Sequence, residues 1–273
     1  MSVIEKAVSG SVSMKYFKFG NGDKVMVLIP GLSIKSVMES ADAVEEAFGQ
    51  YKDGYTIYVF DRQEELPEIY SIQDMAADTA AVMKELGLSK ISLFGASQGG
   101  MIAMVIAMEY PELVDKLVLG STSSHVKPEQ QGVIDKWLTL AQNKDVSELC
   151  KSYAQEIYPA AVYEANKAFF DDMAKSVTQE ELDRFVILAK SIKEFDVTSS
   201  LKKIKCPVLA IGAFEDAVLD DDATLEIAEN LDYRSDFKLY MYTGYGHAAF
   251  DTAPDYRQRV FDFLNGVKRD GSF

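Results

Sequence analysis

Gly95-Ala96-Ser97-Gln98-Gly99-Gly100 lies between two apolar runs, and this arrangement decides the fold. Residues 90–94, before it, predict a short buried strand, and residues 101–108, after it, are apolar on every face, as expected of a buried helix. A G-x-S-x-G sequence between a strand and a helix is typical of a nucleophile elbow, a tight turn that exposes a serine hydroxyl. Because an alcohol is a weak nucleophile, Ser97 would need a base nearby.

Short apolar runs along the chain, including the one before Ser97, predict the strands of a sheet. They lie at residues 12–19, 24–29, 55–60, 91–94, 116–119, 207–211 and 236–242. Continuous apolar runs suit strands that are buried on both faces of a parallel sheet. Asn21-Gly22, between the first two runs, predicts a hairpin turn. Helical patterns separate the later runs. One lies at residues 33–50, and another begins with a capping box at residues 71–74. The alternation of strands and helices predicts an α/β fold.

The connection between Gly120 and Pro207 is far longer than the about 30 residues that a strand–helix–strand unit needs. Its patterns predict four helices, at residues 128–143, 146–157, 160–177 and 179–194. Ligands of α/β proteins bind beyond the carboxyl ends of the strands, where both ends of this connection emerge. We therefore expect residues 125–201 to form a helical cap, or lid, over a core made of residues 1–124 and 202–273.

Only two histidines, His125 and His247, could serve as the base for Ser97. His247 follows an apolar strand and lies in a glycine-rich loop that allows close approach to the serine, so it is the candidate base. His125 stands at the entrance of the predicted lid, and we expect a pocket or structural role for it. Trp137 and Phe214 are further candidates for the pocket wall.

Five segments together resemble the α/β-hydrolase superfamily over nearly the full length, in its small serine esterase or lid-bearing form. They are Pro30-Gly31-Leu32, Asp61-Arg62, the stretch around Ser97, residues 212–216 and residues 244–247. The chain order of serine, acid and histidine is the order that this family uses. The resemblance implies an eight-stranded, mostly parallel sheet flanked by helices, with the site on loops at its carboxyl edge.

The resemblance also implies roles for individual residues. Asp216 would be the acid that orients His247, although the family's usual spacing from the preceding glycine favours its neighbour Glu215. The oxyanion hole would use the backbone N–H groups of Gln98, which follows the nucleophile, and of Leu32. Pro30 stands where relatives frequently carry histidine, which changes the pocket wall but removes no backbone donor. For Asp61-Arg62 we expect a structural charge pair beneath the site.

Composition limits the other functional classes. A formal net charge of −15 argues against nucleic-acid binding. Cys150 and Cys206 fit no metal or redox spacing and suit a reducing compartment, although they could form one bridge. No secretory signal and no run of 18 apolar residues is visible, so we expect a cytoplasmic protein without a membrane span. No nucleotide, flavin or zinc motif is visible, so we expect no cofactor and no metal. A homodimer stays possible.

The leading hypothesis is a serine hydrolase that cleaves a small carboxylic ester, thioester or lactone through an acyl-Ser97 intermediate. The same residues would also serve a C–C bond hydrolase, a perhydrolase or an aminopeptidase. An aminopeptidase needs an anchor for the substrate's amino group, for which the predicted lid offers Glu148, Glu156, Glu164, Asp171 and Asp172. A hypothesis of another class is a small-molecule receptor with a vestigial hydrolase site.

Overall fold

The computed structural model describes residues 2–267, which form an eight-stranded sheet flanked by helices. The strands are β1 (Ile4–Ser9), β2 (Val12–Phe19), β3 (Lys24–Ile29), β4 (Tyr55–Gln63), β5 (Ile91–Ala96), β6 (Val114–Gly120), β7 (Val208–Ala213) and β8 (Phe237–Tyr242). Their spatial order is β1-β2-β4-β3-β5-β6-β7-β8. Strands β1 and β2 pair antiparallel. In the spatial order, every neighbouring pair from β4 through β3, β5, β6 and β7 to β8 is parallel. The predicted α/β fold with a mostly parallel sheet is confirmed.

The helices occupy the positions that the alternating pattern predicts. They are α1 (Ala41–Ala47), α2 (Ile72–Glu85), α3 (Gln98–Glu109), α4 (Gly132–Gln142), α5 (Val146–Ile157), α6 (Ala160–Ser176), α7 (Gln179–Lys193), α8 (Asp221–Leu231), α9 (Ala249–Thr252) and α10 (Tyr256–Asn265). The predicted capping box is present, since the Ser71 and Asp74 side chains each bond the other's backbone N–H. None of the helices in residues 2–267 is long and apolar enough to cross a membrane.

Three local expectations differ from the structure at the amino-terminal side. The segment before residue 12 forms β1, a strand that the sequence pattern did not predict. The hairpin predicted at Asn21-Gly22 is wrong, because β2 pairs with β1 and β4 and never with β3. Gly22 instead lies against the backbone before β4, where a Cβ would come within 1.9 Å of the Gly54 carbonyl carbon. The helix expected at residues 33–50 is divided into α1 and two short 3-10 turns.

Two apolar cores cover the two faces of the sheet and bury its central strands. All residues of β5 and β7 are buried, as are all eleven residues of α3 from Gln98 to Met108. The larger core contains α2, α3 and α8, and the smaller one contains α1 and α10. Both cysteines are buried and carry free thiols, so the possible bridge between Cys150 and Cys206 is absent.

Helices α4 to α7 all lie in the connection between β6 and β7, which we call the β6–β7 segment (residues 125–201). Helices α4, α5 and α7 contribute buried side chains to the larger core. Helix α6 buries only Tyr163 and Phe170, which form a small separate cluster with Ala154 of α5. Helices α4, α5 and α7 are therefore anchored in the larger core, whereas the buried side chains of α6 pack in a separate cluster with α5.

Candidate active site

Ser97 occupies the turn between β5 and α3, with φ 52° and ψ −124°. A positive φ is uncommon for a residue with a side chain, and such strain concentrates at functional sites. Hydrogen bonds on both sides hold the turn: the Ser97 N–H donates to the Gly120 carbonyl at 2.8 Å, and the Thr122 hydroxyl donates to the Ser97 carbonyl at 2.7 Å. Ser97 therefore stands in a tight, strained turn between a strand and a helix.

The glycines around Ser97 are required by close backbone approach. A Cβ on Gly95 would come within 2.2 Å of the Gly99 carbonyl oxygen, and one on Gly99 within 2.0 Å of the Ile29 carbonyl oxygen. A Cβ on Gly31 would lie 3.6 Å from the Ser97 Oγ. The loop after β3, which carries Leu32, thus lies directly against the serine.

His247 follows β8 and is bound to Asp216, which follows β7. The His247 Nδ1 and the Asp216 Oδ2 are 2.8 Å apart, and both side chains are only 3% exposed. The other carboxylate oxygen of Asp216 accepts the N–H groups of Val218 at 2.9 Å and Leu219 at 3.0 Å. Because a carboxylate only accepts hydrogen bonds, Nδ1 carries a hydrogen and Nε2 is left as the acceptor of the ring.

Glu215, the alternative acid, points elsewhere. Its Oε2 accepts the N–H of Gly244 at 2.6 Å, which braces the loop that leads to His247. Asp220 instead lies at the start of α8, where its carboxylate accepts the N–H of Asp221. Of the carboxylates that crowd this turn in the sequence, the structure places Asp216 on the histidine.

Ser97 and His247 line one cavity of about 500 Å³. The loop after β3 forms one wall with Leu32, and the β6–β7 segment forms another with side chains of α4, α5, α6 and α7. The wall is mostly apolar, and its only Lys, Arg, Asp or Glu side chains, within the described part of the chain, are Lys35 and Glu39. Lys35 lies 3.2 Å from Glu39 and 3.4 Å from Glu181, so its charge is already balanced.

The three predicted pocket residues have different positions. Trp137 lines the cavity. His125 does not; its backbone forms an isolated bridge with Asp196 at the base of the β6–β7 segment, and its ring lies 4.0 Å from that carboxylate. Phe214 also lies outside the cavity, because its position after β7 turns the ring outward, where it is 48% exposed.

Buried polar groups tie the elbow to its surroundings. Arg62 is buried and donates from Nη2 to the Pro30 carbonyl at 2.7 Å and to the Gln98 Oε1 at 3.1 Å. The Gln98 amide donates in turn to the Leu188 carbonyl of α7 at 2.7 Å. Burial lowers the pKa of Arg62 to about 10, so the guanidinium stays charged at neutral pH. Asp61 points away and pairs with Arg184 of α7 at 2.7 Å.

The sequence did not distinguish Tyr153 as a residue of the site. Tyr153 of α5 lines the cavity and donates its hydroxyl hydrogen to the Leu32 carbonyl at 2.6 Å. It is one of many aromatic residues in its segment, and no spacing distinguishes it from the others. Across residues 2–267, no cluster of three or more His, Cys, Asp or Glu side chains is arranged as a metal site.

Comparison with known proteins finds named hydrolases among the relatives of this chain. The chain is 28% identical over 204 residues to a RutD protein of Pseudomonas savastanoi pv. phaseolicola, named as a carbamate hydrolase, covering 74% of this chain and 78% of that protein. It is 27% identical to a 2-hydroxy-6-oxononadienedioate/2-hydroxy-6-oxononatrienedioate hydrolase of a Pseudomonas species, covering 97% of this chain and 95% of the relative.

Among solved structures, the chain is similar to MGS-M2, an alpha/beta hydrolase enzyme from a Medee basin deep-sea metagenome library. The TM-score is 0.85 at 21% identity, covering 98% of this chain and all of that one. The model of the alpha/beta hydrolase fold family matches residues 24–254, which include every segment that carries the resemblance. The chain therefore belongs to the alpha/beta hydrolase fold family.

Proposed function

We propose that the protein hydrolyses small uncharged carboxylic esters, with thioesters and lactones as close variants, through an acyl-Ser97 intermediate. The observation that carries this proposal is the strained Ser97 facing one cavity with a histidine that is bonded to a buried carboxylate. Hydrolase chemistry itself follows from the family and its named relatives.

The proposed mechanism uses His247 twice. Its Nε2 takes the proton of the Ser97 hydroxyl while Oγ forms a bond to the acyl carbon. The resulting oxyanion is stabilised by the backbone N–H groups of Leu32 and Gln98. When the tetrahedral intermediate collapses, the bond to the alcohol oxygen breaks and His247 delivers the proton to it. Water, deprotonated by His247, then attacks the acyl carbon. The second tetrahedral intermediate collapses by breaking its bond to Oγ, His247 returns the proton to Oγ, and the acid leaves. Asp216 holds the ring and stabilises its cationic form.

An uncharged substrate is supported by the cavity wall. The single ammonium group there, on Lys35, is already paired with two carboxylates, so no free charge is left to bind an ionised substrate. This also argues against transferring the substrate of the oxononadienedioate hydrolase, since a dioate carries two carboxylates at neutral pH.

The aminopeptidase hypothesis needs an acid in the cavity that binds the substrate's amino group. The acids considered for that role lie outside the cavity lining, and most of them are paired with lysines on the surface: Glu148 with Lys151, Glu156 with Lys136, Asp171 with Lys167 and Asp172 with Lys175. Such pairs are typical of solvated helix faces. Carbamate hydrolysis, taken from the name of the RutD relatives, stays the second candidate, because it uses the same attack on a carbonyl carbon.

We also propose that residues 125–201 act as a cap on a core of residues 1–124 and 202–273. The cap is supported by the contribution of all four of its helices to the cavity wall. The free thiols agree with the predicted cytoplasmic location, which stays a prediction.

The test is turnover of p-nitrophenyl acetate, butyrate and octanoate beside a carbamate and an aminoacyl anilide. We expect ester cleavage to dominate and Ser97→Ala to lower kcat by roughly 10⁶-fold. Ser147→Ala, on the exposed face of α5, is the control that should leave kcat unchanged. Negligible turnover with tight ligand binding would support the receptor hypothesis instead, and full activity in Ser97→Ala would rule out the acyl-serine mechanism.

A further inference from the structure

We propose that Tyr153, together with Arg62, positions the Leu32 N–H from two sides, which makes α5 a working part of the oxyanion hole. This inference rests on the proposed function. It assigns Tyr153 a positioning role through the loop after β3, in addition to its place in the cavity wall.

The geometry of three consecutive peptide units carries the argument. The Leu32 N–H belongs to the unit that joins Gly31 to Leu32. The carbonyl of the preceding unit, on Pro30, accepts from Arg62 at 2.7 Å, and the carbonyl of the following unit, on Leu32, accepts from Tyr153 at 2.6 Å. Because peptide units are planar, two neighbours with fixed carbonyls leave little rotation to the unit between them.

The side chain of Tyr153 is built to hold this bond. Its ring lies 5.0 Å from that of Trp137 and 6.4 Å from that of Phe185, measured between centroids, so two buried aromatic residues fix its direction. Burial raises the pKa of the Tyr153 hydroxyl well above its ordinary value, so the hydroxyl keeps the hydrogen that it donates. The donor is therefore oriented, and it is protonated at neutral pH.

Arg62 connects the two predicted donors of the oxyanion hole. The same Nη2 that bonds the Pro30 carbonyl also bonds the Gln98 side chain at 3.1 Å, and Gln98 supplies the other N–H. The Gln98 amide reaches the Leu188 carbonyl of α7. Both donors are thus attached, through one or two hydrogen bonds, to helices of the β6–β7 segment.

Tyr153→Phe tests the proposal, because it keeps the ring and removes only the donor. On p-nitrophenyl butyrate we expect kcat to fall about tenfold while KM changes less than about twofold, since a loosened donor weakens binding of the transition state alone. The inhibition constant of a trifluoromethyl ketone, whose adduct carries the same oxyanion, should rise by the same factor. Arg62→Lys keeps the charge but shortens the reach, and it should show the same pattern.

Tyr16→Phe is the matched control. Tyr16 is buried on β2, donates to Glu5 at 2.8 Å and lies outside the cavity, so its variant loses one hydrogen bond without touching the site. We expect wild-type kcat and the same thermal midpoint as Tyr153→Phe. An unchanged kcat in Tyr153→Phe and Arg62→Lys, or an equal loss in Tyr16→Phe, would overturn the positioning role. If the wild type itself neither turns over esters nor reacts at Ser97, the proposed function fails and this inference fails with it.

Discussion

Helices α6 and α7 follow each other in the chain and line the same cavity, but the protein holds them in different ways. Helix α7 buries five side chains in the larger core: Leu182, Phe185, Leu188, Ala189 and Ile192. Helix α6 is longer but buries only Tyr163 and Phe170, in a cluster of its own with α5. Its Phe169 is 66% exposed.

The polar contacts follow the same division. Helix α7 bonds the elbow through the Leu188 carbonyl and bonds β4 through Arg184. Helix α6 bonds the loop after β3 only at its last residue, where Ser176 lies 3.3 Å from the Lys35 Nζ. Helix α7 is therefore bonded to residues of the site, whereas α6 packs over the cavity with few polar contacts. We infer that any opening of the cavity is confined to α6.

The largest effect that this comparison predicts is on folding stability. Phe185→Ala removes a fully buried ring from the larger core and should lower the free energy of unfolding by about 3–5 kcal/mol. Phe170→Ala is the matched change on α6 and should cost less than half as much, because its small cluster can collapse into the space. Urea denaturation measures both, and equal losses would remove the distinction between the two helices.

An intermediate effect is expected in local opening. Because few buried contacts hold α6, its backbone amides should exchange hydrogen through an opening that is about 2 kcal/mol easier than that of α7. Native-state hydrogen exchange followed by mass spectrometry resolves the two helices. A phosphonate bound at Ser97 should slow exchange in α6 more than in α7. Uniform protection of both helices would show that the segment moves as one body.

The smallest effect concerns Lys35, which joins the ends of α6 and α7 to the loop after β3. Lys35→Met should change the free energy of unfolding by only about 0.5 kcal/mol, since its ion pairs are partly exposed. Burial alone would lower the pKa of Lys35, but the carboxylates of Glu39 and Glu181 raise it. The stabilisation is therefore present below the ordinary lysine pKa and is lost as pH rises above it. Denaturation at pH 7 and pH 11 tests this, and a wild-type advantage that grows with pH would contradict it.

The sequence predicts the features that are determined by residues close to one another in the chain. The elbow at Ser97 follows from glycines that stand where backbones meet, and α3 follows from an apolar run with no polar face. The hairpin at Asn21-Gly22 failed because strand pairing is decided by distant partners. The pattern also gave no strand before residue 12, where apolar residues are sparse and five of the six residues of β1 are at least partly exposed.

At the site, too, the sequence could not predict contacts between residues that are distant in the chain. Glu215 and Asp216 are adjacent, and only the direction of the chain after β7 brings Asp216 to His247 and Glu215 to Gly244. The bond from Tyr153 to Leu32 joins residues 121 positions apart. No periodicity within α5 distinguishes this tyrosine, because its partner is a backbone carbonyl that every residue possesses. Packing of the β6–β7 segment had to be seen before that contact could be recognised.

The central claim is that Ser97 is the nucleophile activated by His247, and the most direct measurement is covalent trapping with a fluorophosphonate followed by peptide mapping. We expect one phosphonyl group per chain, located on Ser97, with labelling at least about 100-fold slower in His247→Ala because the base is lost. Labelling of another residue, or equal labelling of Ser97 without His247, would contradict the claim.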